Sequence, residues 1–167
     1  SQDHKRIGEN DTGLNTGGMG AYAPTSIMTD ELQKIIDSTI IFPTIKGLEA
    51  DGIPFNGTLY AGLMLTKNGP KILEYNVRFG DPETQVIFPL VDDDLIALLY
   101  ASAPNQSLPD SIKLSSDKCM TVVIASEGYP GHYPKGGLIS FPDELPEKTD
   151  IIHAGTILKE GKIYSNG

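Results

Sequence analysis

The first strongly periodic part of the chain predicts a helix that begins after residue 29. Its apolar positions follow helical spacing, at Leu32, Ile35, Ile36 and Ile40. Thr29 is a suitable N-cap, and the two acidic residues after it suit the positive end of the helix dipole. We expect Pro43 to kink or interrupt this helix and Gly52 to end it.

A second pattern, over residues 57–79, alternates with the period of a strand and predicts a β-hairpin with its turn at residues 67–70. The apolar positions of the two strands are Leu59, Ala61, Leu63 and Leu65, and then Leu73, Tyr75, Val77 and Phe79. Of these, Tyr75 and Phe79 are expected to be buried behind the sheet.

The register of this hairpin follows from keeping its apolar residues on one face. The paired positions are then Tyr60 with Asn76, Gly62 with Glu74, and Leu63 with Leu73. A tight two-residue turn would shift the pairing and flip the faces, and Pro70 lacks the N–H that such a turn uses. We therefore expect a longer loop, with Gly62 leaving room beneath Glu74 for an ion or a phosphate.

The polar face of the second strand carries candidate chemistry. Side chains alternate along a strand, so Glu74, Asn76 and Arg78 share one face. Carboxylate and amide oxygens are hard ligands that suit Mg²⁺ held together with nucleotide phosphates. Arg78 is placed to meet phosphate charge. The pattern alone is also satisfied by an ordinary solvated sheet face.

Two further segments offer groups for substrate binding. Beyond the strand, Gly80 permits a sharp turn that places Asp81 and Glu83 near a substrate amine. Residues 11–20 are rich in glycine and are not expected to form a regular element. The backbone N–H groups of Gly17, Gly18 and Gly20 are suited to cradle an anion, although a structural surface loop explains this segment equally well.

The later part of the chain is organised differently. Acidic residues 92–94 cap a predicted helix, and residues 103–117 form a linker. An apolar strand follows over residues 120–125, then a turn at residues 128–131, and a hairpin joins residues 151–158 to residues 163–164. We expect an α+β lobe over residues 1–110 and the start of a β-rich domain over residues 111–167.

Composition narrows the possible partners. The chain has 167 residues, 39% hydrophobic and 21% charged, which is typical of a globular protein. Its net charge of −9 disfavours nucleic acid and anionic membrane as partners. The single cysteine, Cys119, is expected in the core and fits a reducing cytosol. The three histidines have no metal-ligand spacing.

Several segments together resemble the glycinamide ribonucleotide synthetase family of the ATP-grasp superfamily. They are residues 2–6, 15–22, 74–85, 128–131 and 153–156. The resemblance implies the C-terminal, antiparallel lobe of an ATP-grasp domain followed by part of a small C-terminal domain. It also implies joining of glycine to 5-phosphoribosylamine with ATP and Mg²⁺ or Mn²⁺, through a glycyl phosphate, in purine synthesis.

The resemblance also implies roles for individual residues. Glu74 and Asn76 match metal ligands, and Arg78 matches the residue that stabilises the transferred phosphoryl group. The positions that match substrate contacts are Asp3, Lys5, Asn15, Gly17, Gly18, Asp81 and Glu83.

The sequence departs from the pattern in two ways. Many ATP-grasp enzymes have an acidic ligand near the position of Gly62, and the family's N-terminal domains have no counterpart here, so we expect a fragment that is inactive alone. A different ATP-grasp ligase or carboxylase, and a truncated chain that only binds a metal or a partner, are the alternatives.

Overall fold

The computed structural model describes residues 1–167. Its β-strands are β1 (Gln2–Asp3), β2 (Arg6–Gly8), β3 (Thr12–Asn15), β4 (Gly20–Ala23), β5 (Tyr60–Thr66), β6 (Gly69–Asn76), β7 (Cys119–Val122), β8 (Leu138–Ile139), β9 (Thr156–Lys159) and β10 (Lys162–Ser165). Its α-helices are α1 (Asp30–Ile36), α2 (Phe42–Ala50), α3 (Thr84–Ile87) and α4 (Leu95–Ala101). A π-helical turn (Asp37–Ile41) joins α1 to α2, and a 3₁₀ turn (Phe88–Leu90) follows α3.

The N-terminal segment is more regular than its glycine content predicted. Strands β2 and β3 form a short antiparallel hairpin, so the expectation of no regular element over residues 11–20 is wrong for Thr12–Asn15. Asn10 and Asp11 adopt positive φ angles of 54° and 57°, which fold the chain back on itself at this point. The Arg6 guanidinium donates to the Gly13 carbonyl at 2.6 Å and supports the pairing.

The central sheet has the order β1-β4-β7, with both pairings antiparallel. Behind it lies a small core formed by Ala21, Ala23, Val86 and Leu90. Cys119 packs against this cluster, as predicted. Strand β7 therefore joins residues from beyond the predicted boundary at residue 110 to the sheet that holds β1. The boundary itself stays a prediction.

The predicted helix is present and begins where expected. The Thr29 hydroxyl accepts from the Leu32 N–H at 3.2 Å. The π-helical turn ends just before Pro43, which has no N–H to donate to the preceding turn. Gly52 lies just beyond the end of α2 and has a φ of +77°. The predicted interruption and end are confirmed.

The hairpin of β5 and β6 has the predicted register at its base, but its turn and the pairing near the turn differ from the prediction. Tyr60 pairs with Asn76 and Gly62 with Glu74, as predicted. The longer loop is wrong, because Thr66 pairs with Gly69 across a two-residue turn. A β-bulge at Leu73 adds one residue and restores the predicted pairing, and it leaves Leu63 opposite Ile72 rather than Leu73.

The apolar face of this hairpin is largely open, so the predicted burial is wrong. Tyr75 and Phe79 are each 38% exposed, and Val77 is 75% exposed. Thr44 of α2 reaches this face and its hydroxyl lies 2.6 Å from the Tyr75 hydroxyl. Alternation fixes which side a residue takes, whereas burial requires a covering layer that the elements of this chain do not supply here.

The remaining predictions agree with the structure in outline. The Asp94 carboxylate caps α4 by accepting from the Ala97 N–H at 3.0 Å. Residues 103–117 contain no helix and only an isolated bridge from Leu114 to Val91. Strands β9 and β10 form the predicted terminal hairpin, with β8 on the other side of β10. No helix in the chain is long and apolar enough to cross a membrane.

Candidate active site

A cluster of charged and polar side chains lies between β1, the base of the β5–β6 hairpin and the loop before α3. The Lys5 ammonium is 2.7 Å from Asp3 Oδ2, and the Tyr60 hydroxyl donates to Glu83 Oε1 at 2.8 Å. The charges of Asp3, Glu83 and Glu74 all act on both Lys5 and Tyr60, which places the five groups in one neighbourhood. The fold thus gathers residues that are far apart in the sequence.

Asp3 is a largely buried member of this cluster. Its strand pairs with β4, and its side chain is only 9% exposed. Apart from the ion pair with Lys5, neither carboxylate oxygen has a hydrogen-bond partner, which is unusual for a buried carboxylate. A Cβ at position 18 would stand 3.0 Å from Asp3 Oδ1 and would collide with the Pro82 ring, so Gly18 lies close over Asp3 where a larger residue does not fit.

The electrostatics of Lys5 follow from its acidic surroundings. Partial burial acts to lower the pKa of its ammonium group, but the hydrogen bond and charge of Asp3 oppose this effect. The charges of Glu83 and Glu74 act in the same direction as Asp3, and the pKa of Lys5 is raised overall. Lys5 is therefore a cation held among carboxylates.

Tyr60 connects the hairpin to the buried carboxylate of Glu83. Glu83 is only 4% exposed, although no pattern in the sequence predicted its burial. Burial, and then the hydrogen bond and charge of Glu83, raise the pKa of the Tyr60 phenol, with Asp3 and Glu74 adding to the effect. The hydroxyl therefore stays protonated and remains a donor to Glu83.

Glu74 and Asn76, which were predicted as oxygen ligands, lie two residues apart on β6. They are same-face neighbours on β6, with Glu74 exposed and Asn76 half-buried. The space above Gly62 is not open as predicted, because a Cβ there would lie 3.1 Å from Glu74 Cγ and 3.4 Å from the Tyr60 ring. One carboxylate and one amide oxygen fit Mg²⁺ or Mn²⁺ that shares its coordination with phosphates and water. No group of three or more His, Cys, Asp or Glu residues gathers as a metal site of its own.

Arg78 and Asp81 lie outside the hydrogen-bonded cluster. Strand β6 ends at Asn76, so the alternation that was expected to carry Arg78 does not extend to it. The Arg78 guanidinium donates to the Phe79 carbonyl at 2.8 Å, and Asp81 Oδ1 accepts from the Gln85 amide at 2.7 Å. Both side chains are exposed, so of the predicted acidic pair only Glu83 joins the cluster.

The N–H groups of the glycine loop have partners within the chain. The Gly17 N–H donates to the Tyr129 hydroxyl at 3.2 Å, and the Gly18 N–H donates to the Thr16 hydroxyl at 3.0 Å. Asn15 ends β3, exposed and paired with Arg6. Tyr60 and Tyr129 were missed by sequence reasoning. Tyr60 has a signal, its pairing with Asn76, whereas Tyr129 is 112 residues from its partner and has none.

The fold is that of an ATP-grasp protein that has a further C-terminal domain. Residues 1–84 match the family model described as phosphoribosylglycinamide synthetase, ATP-grasp (A) domain, and residues 119–167 match that of the C domain. The chain belongs to the phosphoribosylglycinamide synthetase family. The predicted α+β fold is confirmed.

Named relatives agree with this assignment. The chain is 48% identical to the phosphoribosylamine–glycine ligase of Agrobacterium fabrum over all of its own length and 40% of the relative's. It is 50% identical to the bifunctional purine biosynthetic protein of Pichia angusta, of which it covers 21%. The crystal structure of the Thermotoga maritima phosphoribosylamine–glycine ligase matches 99% of this chain and 40% of that one, with 37% identity and a TM-score of 0.83. The chain thus spans less than half the length of each of these proteins.

Proposed function

We propose that this chain is part of an enzyme that joins glycine to 5-phosphoribosylamine at the expense of ATP. The products are glycinamide ribonucleotide, ADP and phosphate, formed through a glycyl phosphate in purine synthesis. The observation that carries the proposal is the position of Glu74 and Asn76 on β6 beside the buried Asp3 and Glu83 carboxylates, in a chain of this family. Oxygen ligands for a metal and carboxylates for an amine are the two kinds of group that such a ligation requires.

The metal-binding part of the proposal concerns one strand. Glu74 and Asn76 would hold Mg²⁺ or Mn²⁺, which would offset the negative charge of the ATP phosphates. Arg78, two residues beyond Asn76, would stabilise the transferred phosphoryl group. Its guanidinium is exposed and now donates only to a backbone carbonyl, so it is free to turn toward a phosphate.

The proposed substrate-binding groups are of two kinds, which differ in the charge of the substrate group that they would bind. Asp3, Asp81 and Glu83 would face the amine-bearing substrates, because carboxylates attract ammonium groups and accept from amines. Asn15 and Lys5 would face their anionic oxygens. The N–H groups of Gly17 and Gly18 would do so by exchanging their present hydroxyl acceptors for these oxygens. Lys5 is suited to this role because its charge is maintained by the surrounding acids.

The partners proposed are ATP, glycine, 5-phosphoribosylamine and further domains of the same enzyme. Nucleic acid and membrane are not proposed as partners, in keeping with the net charge of −9. The proposed location is the cytosol.

The proposal is tested by assaying ADP release in the complete enzyme that contains this chain. Release is expected only when glycine, phosphoribosylamine and Mg²⁺ are all present. The 167-residue chain alone is expected to give no product, because ligation requires phosphates, metal and acceptor to be aligned together. ADP release that ignores glycine, or follows a different acceptor, would favour another ATP-grasp activity.

A split-enzyme assay separates a catalytic part from an inert one. The chain is mixed with the segment of the Agrobacterium fabrum ligase that it does not cover, and each part is also assayed alone. Activity that returns only on mixing supports a shared site. A chain that binds the segment without restoring turnover would support a binding role only.

A further inference from the structure

Tyr60 is the side chain that joins the metal-ligand hairpin to the buried carboxylate. It lies on β5 directly opposite Asn76, and its hydroxyl donates to Glu83 Oε1 at 2.8 Å. Its ring fits between two glycines, since a Cβ on Gly62 would lie 3.4 Å from one ring edge and a Cβ on Gly80 would lie 3.0 Å from the other. The path of the backbone on both sides therefore fixes where the hydroxyl points.

Glu83 depends on this contact for its orientation. The residue is 4% exposed, and its other carboxylate oxygen lies against Gly80. A buried carboxylate without donors is costly, so the phenol stabilises one rotamer of Glu83 over others. The charged groups that face this contact are Asp3, Lys5, Glu74 and the ammonium group of Ser1, on which the charge of Glu83 acts.

We propose that Tyr60 is a positioning residue, whose hydroxyl fixes the Glu83 carboxylate beside Asp3 and Lys5 so that this cluster binds an amine-bearing substrate. The inference rests on the proposed function and extends it to a residue that makes no substrate contact itself. Because Tyr60 and Asn76 are paired across the hairpin, the same contact keeps the amine site in register with the metal ligands.

The test uses Tyr60→Phe, which removes only the hydroxyl, in the complete enzyme. Tyr75→Phe is the matched control, because its hydroxyl also contacts a side-chain hydroxyl, that of Thr44, but on the other face of the same hairpin. We expect Y60F to raise the KM of glycine or phosphoribosylamine by about 10-fold, with about 100-fold as the ceiling, because the free energy of the lost bond to a charged group bounds the cost of re-ordering Glu83. The KM of ATP and the Mg²⁺ requirement should change by less than about twofold.

A purely structural role gives a different result. Y60F and Y75F would then lower thermal stability alike and leave every KM near the wild-type value, which would overturn the proposal. A loss confined to ATP or Mg²⁺ would also overturn it, because Tyr60 would then act on the metal ligands. If the wild-type enzyme makes no glycinamide ribonucleotide, the proposed function is wrong. If the wild-type enzyme is active but Y60F leaves the KM values unchanged, only the role proposed for Tyr60 is wrong.

A double-mutant cycle tests whether Tyr60 acts through Glu83. A bond to a neutral amide is weaker than one to a carboxylate, so Y60F in the E83Q background should cost at least about threefold less than in the wild type. Equal costs in the two backgrounds would show that Tyr60 acts by another route. This comparison remains informative even if E83Q lowers activity, because only the ratio of KM values is used.

Discussion

Gly18 lies against the carboxylate of Asp3, with no space between them for a side chain. A Cβ at residue 18 would stand 3.0 Å from Asp3 Oδ1 and would collide with Pro82. The residue also has a φ of +135°, which side chains other than hydrogen rarely allow. Pro82 and Asp3 together therefore require glycine at this position of the loop.

Replacing this glycine should damage the fold locally. Gly18→Ala is expected to lower the free energy of unfolding by about 1–3 kcal/mol, because it combines a clash with a strained backbone angle. Gly17→Ala is the control, since its Cβ would meet only the Tyr129 hydroxyl, at 3.8 Å. Chemical denaturation of the two variants checks the difference. Equal losses would mean that the loop moves away from Asp3 easily.

The ion pair of Asp3 and Lys5 should be visible in the titration of Lys5. Asp3→Asn removes the charge that raises the pKa of Lys5 and weakens the hydrogen bond that acts in the same direction, while the burial that lowers the pKa remains. The pKa of Lys5 is therefore expected to fall in the variant. NMR titration of the lysine side chain measures it, with Asp81→Asn as a control outside the cluster. An unchanged pKa would show that Lys5 does not contact Asp3 in solution.

Tyr60 should make the protein sensitive to alkaline pH. Its pKa is raised above the ordinary value of 10.0, so the folded chain holds the phenolic proton more tightly than the unfolded chain does. This stabilisation is complete below that value and is lost as the pH rises above it toward the folded pKa. Unfolding measured on both sides of the ordinary value should show a larger alkaline loss in wild type and Y75F than in Y60F. Equal losses in all three would contradict the raised pKa.

Glu74→Gln should separate catalysis from stability. The side chain is exposed, so its loss should change the unfolding free energy little. In the complete enzyme, the proposed metal-ligand role predicts that turnover falls by about 10²- to 10⁴-fold, because one ligand charge at the metal would be lost. Glu49→Gln, an exposed carboxylate on α2, is the control. Near-normal turnover at saturating Mg²⁺ would exclude Glu74 as a ligand.

The sequence predicted relationships that depend on local geometry. Alternation places Glu74 and Asn76 on one face, and the Thr29 cap follows from residue types next to one another. The hairpin turn was mispredicted because a bulge at Leu73 compensates for the tighter turn, and a residue count cannot detect a compensation of this kind.

Contacts between distant segments could not be predicted in the same way. The Tyr129 hydroxyl reaches Gly17, and the Tyr60 hydroxyl reaches Glu83, only because three-dimensional packing brings the segments together. Burial was misjudged in both directions, because Glu83 is buried whereas Tyr75 and Phe79 are exposed. In each case, burial depends on whether another element covers the residue. The periodicity of the residue's own segment contains no information about that other element.

Strand β4 lies in the middle of its sheet, with β1 on one side and β7 on the other. Residues 119–122, which fall in the C-domain match, therefore complete the sheet that carries Asp3. A recombinant boundary drawn ahead of residue 119 would leave β4 with an unpaired edge, which invites association with other chains. A chimera that takes its C domain from a homologue should therefore keep residues up to Val122 of this chain. The homologous sequence would then begin after β7, the strand that completes the sheet.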